Sequence, residues 1–260
     1  MKKLNSIKLW SLLISVFFSS CNSNSPDPIV ESEKKEFKSS FENVEDFSGF
    51  YLTPQDYQGT SFHELSDTIV RSGTYAHRAW IDGANPPSIT TNNNHRGYPT
   101  VQLQKTTEGV FKTPAYVTLW VWLDMELQQS NNGGEEDWFS FATFTDDESD
   151  NWAETVLVNL SKEGFVHLMH VPTQGKKEYI FQTNTVAFPQ KEWVELTIYL
   201  DFSNNGYAKV WQNGTLVSHA KVEKAKNQLA QAHFGLYCPP QMVKGVVYND
   251  DLWIREVDNE

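Results

Sequence analysis

From Phe41 onward, apolar and polar residues alternate with a period of two in one run after another. No stretch carries the 3.6-residue period of an amphipathic helix. The runs predict strands at 75–82, 98–106, 115–126, 137–146, 154–161, 165–171, 178–183, 192–202, 206–212, 215–222, 229–238 and 246–257. Turn residues separate them. Asn213-Gly214 between Val210-Trp211 and Leu216-Val217 is a two-residue hairpin signal, and Asn204-Asn205-Gly206 and Ser161 to Gly164 mark two more turns. Regularly spaced short strands with no interrupting linker and no internal repeat predict one all-β domain over 41–260. Its expected form is a sandwich or jelly roll of two antiparallel sheets.

The faces of these strands differ in chemistry. In 115–126, Val117, Leu119, Val121 and Leu123 point one way and Trp120, Trp122 and Asp124 the other. Val194, Leu196, Ile198 and Leu200 oppose Tyr199 and Asp201, and Val101 and Leu103 oppose Tyr98, Thr100 and Gln102. The aliphatic faces are what two sheets bury between them. Trp120, Trp122, Tyr199 and Trp211 are left to pave a groove on which sugar rings could stack, or to be covered by loops as additional core. In Leu229 to Cys238 the same parity separates Phe234, Leu236 and Cys238 from His233, Gly235 and Tyr237. The second set is a basic side chain, a gap and a phenol, an arrangement that suits a polysaccharide lying across it.

The first twenty residues do not belong to the domain. Lys2, Lys3 and Lys8 precede an apolar run from Leu9 to Phe18 and then Ser19-Ser20-Cys21, the layout of an export signal. The run is too short to span a bilayer as a helix. Phe18 to Cys21 resembles a bacterial lipobox, which predicts lipidation of Cys21 and a chain held at the outer membrane or cell surface by its lipid; cleavage by an ordinary signal peptidase is the alternative. Residues 21–40, polar and charged with two prolines, read as a tether. With Cys21 lipidated, Cys238 has no disulfide partner, and its parity predicts a buried thiol. Removing the signal takes three lysines and leaves 18 basic against 33 acidic residues, a net charge of −15. Such a surface repels nucleic acid and anionic membrane, and counts against a polyanionic sugar unless the groove carries a local basic cluster; the strand faces still make an extracellular polysaccharide the expected partner, met by a monomer.

As a whole, the pattern resembles the concanavalin A-like jelly-roll superfamily of bacterial glycan proteins, with heparin lyase I and glucuronan lyase as the nearest types beside laminin G-like modules. Trp193 to Tyr199 followed by Gly206 to Gly214 resembles the family's paired strands, and Val246 to Ile254 its closing strand. His233-Phe-Gly-Leu-Tyr237 resembles the Lys-Ala-Gly-x-Tyr segment of jelly-roll alginate lyases, with His233 where those have lysine. Asn94 to Gln102 is a loose counterpart of their arginine-bearing strand, and Val166 to His170 of their histidine strand.

The resemblance implies a β-eliminative polyuronate lyase, with a non-catalytic lectin-like or laminin G-like binder as the alternative. Arg96 and Gln102 would meet the uronate carboxylate, and Tyr237 would act as acid, or as acid and base. His170 or His167 would be the base or neutraliser; their opposite parity allows only one of them into the groove. Structural roles remain open at Arg96, as a loop residue, and at Tyr237, as a buried phenol. A retaining glucanase would need two carboxylates on one strand face, and the spacing in Glu135-Glu136-Asp137 and in Asp146 to Glu154 is wrong for that. Proteins of this fold often hold Ca2+ between the first and closing strands. Here Glu42, Asp250 and Asp251 supply hard oxygen ligands, or are simply surface acids.

Overall fold

The computed structural model describes residues 33–50, 61–82, 96–127, 138–172, 179–204, 206–223, 225–238 and 244–258. The expected signal, Cys21 and most of the expected tether lie outside the described residues, as do Asn92 to His95 and Glu135 to Asp137. In chain order the strands are β1 (Glu36–Ser39), β2 (Ser61–Ser66), β3 (Ala76–Asp82), β4 (Arg96–Gly97), β5 (Thr100–Gln102), β6 (Phe111–Lys112), β7 (Ala115–Met125), β8 (Trp138–Thr145) and β9 (Thr155–Ser161). They continue as β10 (Val166–Val171), β11 (Tyr179–Phe181), β12 (Trp193–Leu200), β13 (Tyr207–Gln212), β14 (Thr215–Lys221), β15 (Gln228–Leu229), β16 (Gln231–Tyr237) and β17 (Lys244–Glu256).

They form an all-β, two-sheet, jelly-roll-like sandwich. An eight-stranded sheet runs β14-β13-β12-β7-β17-β3-β2 with β1 also on β17, and a seven-stranded sheet runs β11-β10-β9-β8-β16-β4 with β5 also on β16. The paired strands are antiparallel. β7 alternates buried and half-buried along its whole length, as its sequence dictates. Its Val117, Leu119, Val121 and Leu123 join Val194, Leu196, Ile198, Phe144, Val158, Leu168, Phe234 and Leu236 in one core between the sheets. Asn213 and Gly214 both take positive φ, 47° and 78°, in the turn joining β13 to β14, the requirement of a type I′ hairpin. Cys238 is buried, and burial pushes its thiol pKa up.

Three elements depart from the pattern reading. β1 lies within the expected tether: four residues with a single inward aromatic, Phe37, are too few to show a period, yet they pair with β17. β2 was not foreseen because its inward side chain is His63, polar in sequence but 5 % exposed in the fold. The run at 98–106 breaks after Gln102 into a 3-10 turn over Leu103–Lys105.

His63 belongs to a buried polar chain between the sheets. Its ring donates to the Gly49 carbonyl, its Nδ1 lies 3.2 Å from His77 Nε2, and His77 Nδ1 lies 3.2 Å from Asn249 Oδ1. Phe41 and Phe50 pack against these rings. Burial lowers the pKa of His63 to about 4, and that of His77 well below the ordinary value. These histidines fold neutral, so between the folded values and the unfolded ~6.5 the unfolded chain binds more protons. Their contribution is complete above pH ~6.5 and is lost as pH falls towards 4. Asp250, raised to about 6 by burial, and Asp146, also raised by burial, oppose this trend, against His63, His77, His170 and His233, all lowered by burial. The urea midpoint is therefore expected to drop between pH 7 and pH 4.5, and His63→Gln to flatten that dependence; a midpoint independent of pH in the wild type would contradict the account.

Candidate functional site

β16 turns Ala232, Phe234, Leu236 and Cys238 into the core and presents His233 and Tyr237 on the opposite face. Register places Arg96 of β4 across from Tyr237, and Thr100 of β5 and Thr143 of β8 on either side of His233. Together with Tyr98, Asp150, Asn151, Trp152, Thr155, Leu157, Met169 and Val171 they line a cleft of about 490 Å³, within the range of small-ligand sites.

Gly235 is not a gap in this floor. The strand bulges between Phe234 and Tyr237, and Gly235 sits at φ 121°. A Cβ there would lie 2.6 Å from the Gly97 carbonyl oxygen and 2.6 Å from His77 Cε1. The bulge re-aims the following residues, as bulges beside functional sites commonly do.

The wall of the cleft is an aromatic stack. The His233 imidazole lies 4.0 Å from the Tyr98 ring at 17°, and the Trp152 indole covers it at 4.6 Å. His233 is 9 % exposed and neither ring nitrogen has a hydrogen-bond partner among the described residues. Burial, then the Arg96 charge, brings its pKa down to about 3. It is a neutral ring at any working pH and supplies none of the positive charge of the lysine found there in alginate lyases. Tyr98 is raised by burial despite the Arg96 guanidinium that hydrogen-bonds it, so it keeps its proton. The Arg96 guanidinium carbon stands 4.8 Å from the centre of the Tyr237 ring. Among the described lining residues Arg96 is the cation and Asp150 the carboxylate.

Trp152 arrives on a loop that looks in sequence like a solvated acidic turn. Asp147 accepts from the Ser149 and Ala153 amides at 2.9 and 3.1 Å, and Gln231 Nε2 donates to the Asp147 and Ser149 carbonyls at 2.7 and 2.9 Å. Sequence reasoning missed Trp152 and also Tyr98. The available signals were the Asp147/Ser149 turn chemistry ahead of a tryptophan, and Tyr98 two residues beyond Arg96 on one strand face.

Several expected residues stand elsewhere. Gln102 shares the outward face but hydrogen-bonds Gln231 at 3.2 Å and Lys105 at 3.0 Å; it braces the Trp152 loop and does not line the cleft. His170 points away from the cleft. Its Nδ1 donates to the Thr155 carbonyl at 3.0 Å, and its Nε2 accepts from the Glu223 amide at 3.2 Å, so both nitrogens are committed to backbone and the base role does not fit. His167 takes the outward face. A row of register partners runs Arg96–Tyr237–Ser140–Asn159–His167, which puts His167 three strands from Tyr237, roughly 14 Å at the usual strand spacing. That is too far to share a reacting carbon.

Trp120, Trp122, Tyr199 and Trp211 lie on β7, β12 and β13, the other sheet of the sandwich. Parity turns them away from the core cluster; Trp120, Trp122 and Trp211 are half-buried and Tyr199 is buried, but parity could not say on which sheet. The calcium expectation also fails to fit. Glu42 accepts from the Thr74 amide, Asp250 from the Arg71 and Ser72 amides, and Asp251 from the Ser40 and Ser72 hydroxyls and the Arg71 guanidinium. Donors already face these oxygens, and among the described residues no group of three His, Cys, Asp or Glu is placed to hold a metal.

No protein-family model and no curated protein matches the sequence. Solved structures do match in fold. Endo-β-1,4-glucuronan lyase from the fungus Trichoderma reesei is similar at TM-score 0.58 and 14 % identity, over 85 % of this chain and 95 % of its own. Cellulose induced protein Cip1 gives 0.58 and 13 % over 84 % and 96 %, and alginate lyase vAL-1 from Chlorella virus 0.50 and 11 % over 74 % and 89 %. The likeness is one of architecture: over most of its length this chain has the jelly-roll fold used by polysaccharide lyases.

The close approach at Gly235 predicts that Gly235→Ala lowers the unfolding free energy by about 2 kcal/mol or more. Gly214→Ala, strained in φ but with open space around its Cβ, should cost less. Equal losses in chemical denaturation would contradict the role given to the bulge.

Proposed function

We propose that the cleft over β16 binds an acidic polysaccharide and cleaves it by β-elimination. The observation that carries this reading is the meeting of Arg96 and Tyr237 on neighbouring strands, guanidinium beside phenol, in a cleft walled by neutral rings. The architecture shared with polysaccharide lyases supports it.

A uronate carboxylate opposite Arg96 would meet the planar fork of N–H donors that suits it. With the carboxylate neutralised, the proton on the adjacent carbon becomes removable. Tyr237 would enter this step as the phenolate, its own proton having gone to water; its oxygen takes the carbon-bound proton, the electron pair left on carbon forms a double bond as the bond to the glycosidic oxygen breaks, and that proton passes to the leaving oxygen, which returns the phenolate. The products are a shortened chain and one ending in an unsaturated uronate. Tyr98, His233 and Trp152 would hold the sugar by ring contact rather than by charge. The lipobox-like Phe18 to Cys21 supports a cell-surface setting in which such a polymer is met.

Binding without cleavage is the second reading. It is favoured by the absence of a titrating histidine among the described lining residues, since His233 is held neutral and His170 faces away.

Product absorbance separates the two. On alginate, glucuronan or a heparin-type glycan the wild type is expected to generate the ultraviolet band of the unsaturated uronate. Tyr237→Phe should reduce the rate by about 100-fold or more, and Arg96→Lys, which keeps charge but loses the fork, should also reduce it. A flat trace on all three polymers, with retarded migration in a glycan gel, would leave only the binder.

A further inference from the structure

Both ring nitrogens of His233 and the hydroxyl oxygen of Thr143 are buried without a hydrogen bond among the described residues. His233 is 9 % exposed and Thr143 4 %. The two are register partners on β16 and β8, with Thr100 of β5 on the other side of His233 and Leu157 of β9 beyond Thr143. All four line the cleft. The His233 ring lies 6.3 Å from that of Tyr237, a distance that one sugar ring spans. Folded proteins pair nearly all of their buried polar groups, and unpaired ones mark a place where water or a ligand completes the set.

The chemistry of these atoms selects what completes it. Burial holds His233 neutral, so one ring nitrogen donates and the other accepts, while the Thr143 hydroxyl does both. A sugar hydroxyl, donor and acceptor at once, satisfies any of them. A sulfate ester only accepts and would set its lone pairs against the accepting nitrogen; an O-acetyl group has lost the donor and adds bulk. The Trp152 indole lies over the imidazole at 4.6 Å. Trp152 and Glu154 both hold positive φ, 51° and 52°, a strained conformation for residues with a side chain and one that collects at ligand sites. Gln231 braces the base of that loop, so the indole is the part that gives way to a sugar.

We propose that His233 and Thr143 form a hydroxyl-reading subsite beside Arg96 and Tyr237, uncovered when Trp152 turns aside, which restricts the cleft to uronate glycans whose hydroxyls are free of acetyl and sulfate. The proposal rests on the acidic-polysaccharide reading for the choice of ligand and names which members of that class fit. His233 and Thr143 determine specificity; the proton transfers stay with Tyr237. A substituted sugar leaves the buried donor and acceptor unpaired, and a site built to bond a hydroxyl rejects a ligand that lacks it.

The test is affinity electrophoresis of the full chain in gels of alginate and of glucuronan, each with and without O-acetyl groups, on a Tyr237→Phe background so that the polymer stays intact. The parent is expected to bind the unsubstituted polymer about tenfold more tightly, and Thr143→Val and His233→Phe each to remove most of that preference. Because each substitution deletes an unpaired buried polar group, the urea midpoint should hold or rise as the affinity falls, a combination that a merely structural role would not produce. A preference that survives in both variants makes the pair structural, satisfied by a buried water, and overturns the proposal. Equal retardation by acetylated and unsubstituted polymer, or no retardation by either, overturns it as well. Product absorbance with Tyr237 intact reads the lyase step separately. Product formed from both forms of the polymer at rates that ignore His233 and Thr143 sinks this proposal alone; retardation that depends on His233 without product sinks only the lyase reading.

Discussion

The inward packing of β16 is the constraint on which the site depends. Phe234, Leu236 and Cys238 are fully or almost fully buried, and a pleated strand with that face in the core must present His233 and Tyr237 to the other side. Burying the apolar half of the strand therefore fixes the polar half, and pairing with β4 brings Arg96 alongside. The adjustment is the bulge at Gly235, where the backbone passes so close to Gly97 and His77 that no side chain fits. The cleft and the core are thus two faces of one packing problem, and the polar His63–His77–Asn249 chain sits directly beneath the site.

Low dielectric rather than opposite charge sets the chemistry of the cleft. Burial keeps His233 and Tyr98 neutral, which leaves Arg96 as the cation and Asp150 as the carboxylate among the described lining residues. A guanidinium at a cleft walled by neutral rings directs an incoming carboxylate more strongly than one in open water. The acidic remainder of the surface would repel a polyanion, and the Arg96 cleft departs from that pattern by combining a cation with aromatic rings.

Alternation made inside and outside legible in the sequence: the core positions of β7, β12 and β16 follow from period two alone. It could not assign a strand to a sheet. β16 and β17 are consecutive, yet β16 inserts between β8 and β4 and β17 between β7 and β3. Trp120 and Tyr237 therefore look equivalent by parity but stand on opposite outer faces. His167 and His170 were separable only to the extent that one of them must face inward; the Thr155 and Glu223 backbone groups that claim His170 are remote in sequence. Glu42, Asp250 and Asp251 looked like cation ligands because carboxylates that hold a loop by its amides carry the same letters as carboxylates that hold calcium.

The most direct test of the central claim is a crystal structure of Tyr237→Phe with a uronate tetrasaccharide. The account predicts a carboxylate within hydrogen-bond distance, roughly 3 Å, of the Arg96 guanidinium. The adjacent C–H should face the place left by the Tyr237 hydroxyl, with a sugar ring against the Tyr98–His233–Trp152 stack. An oligosaccharide bound only on the outer face of the eight-stranded sheet, with no sugar in the β16 cleft, would contradict it.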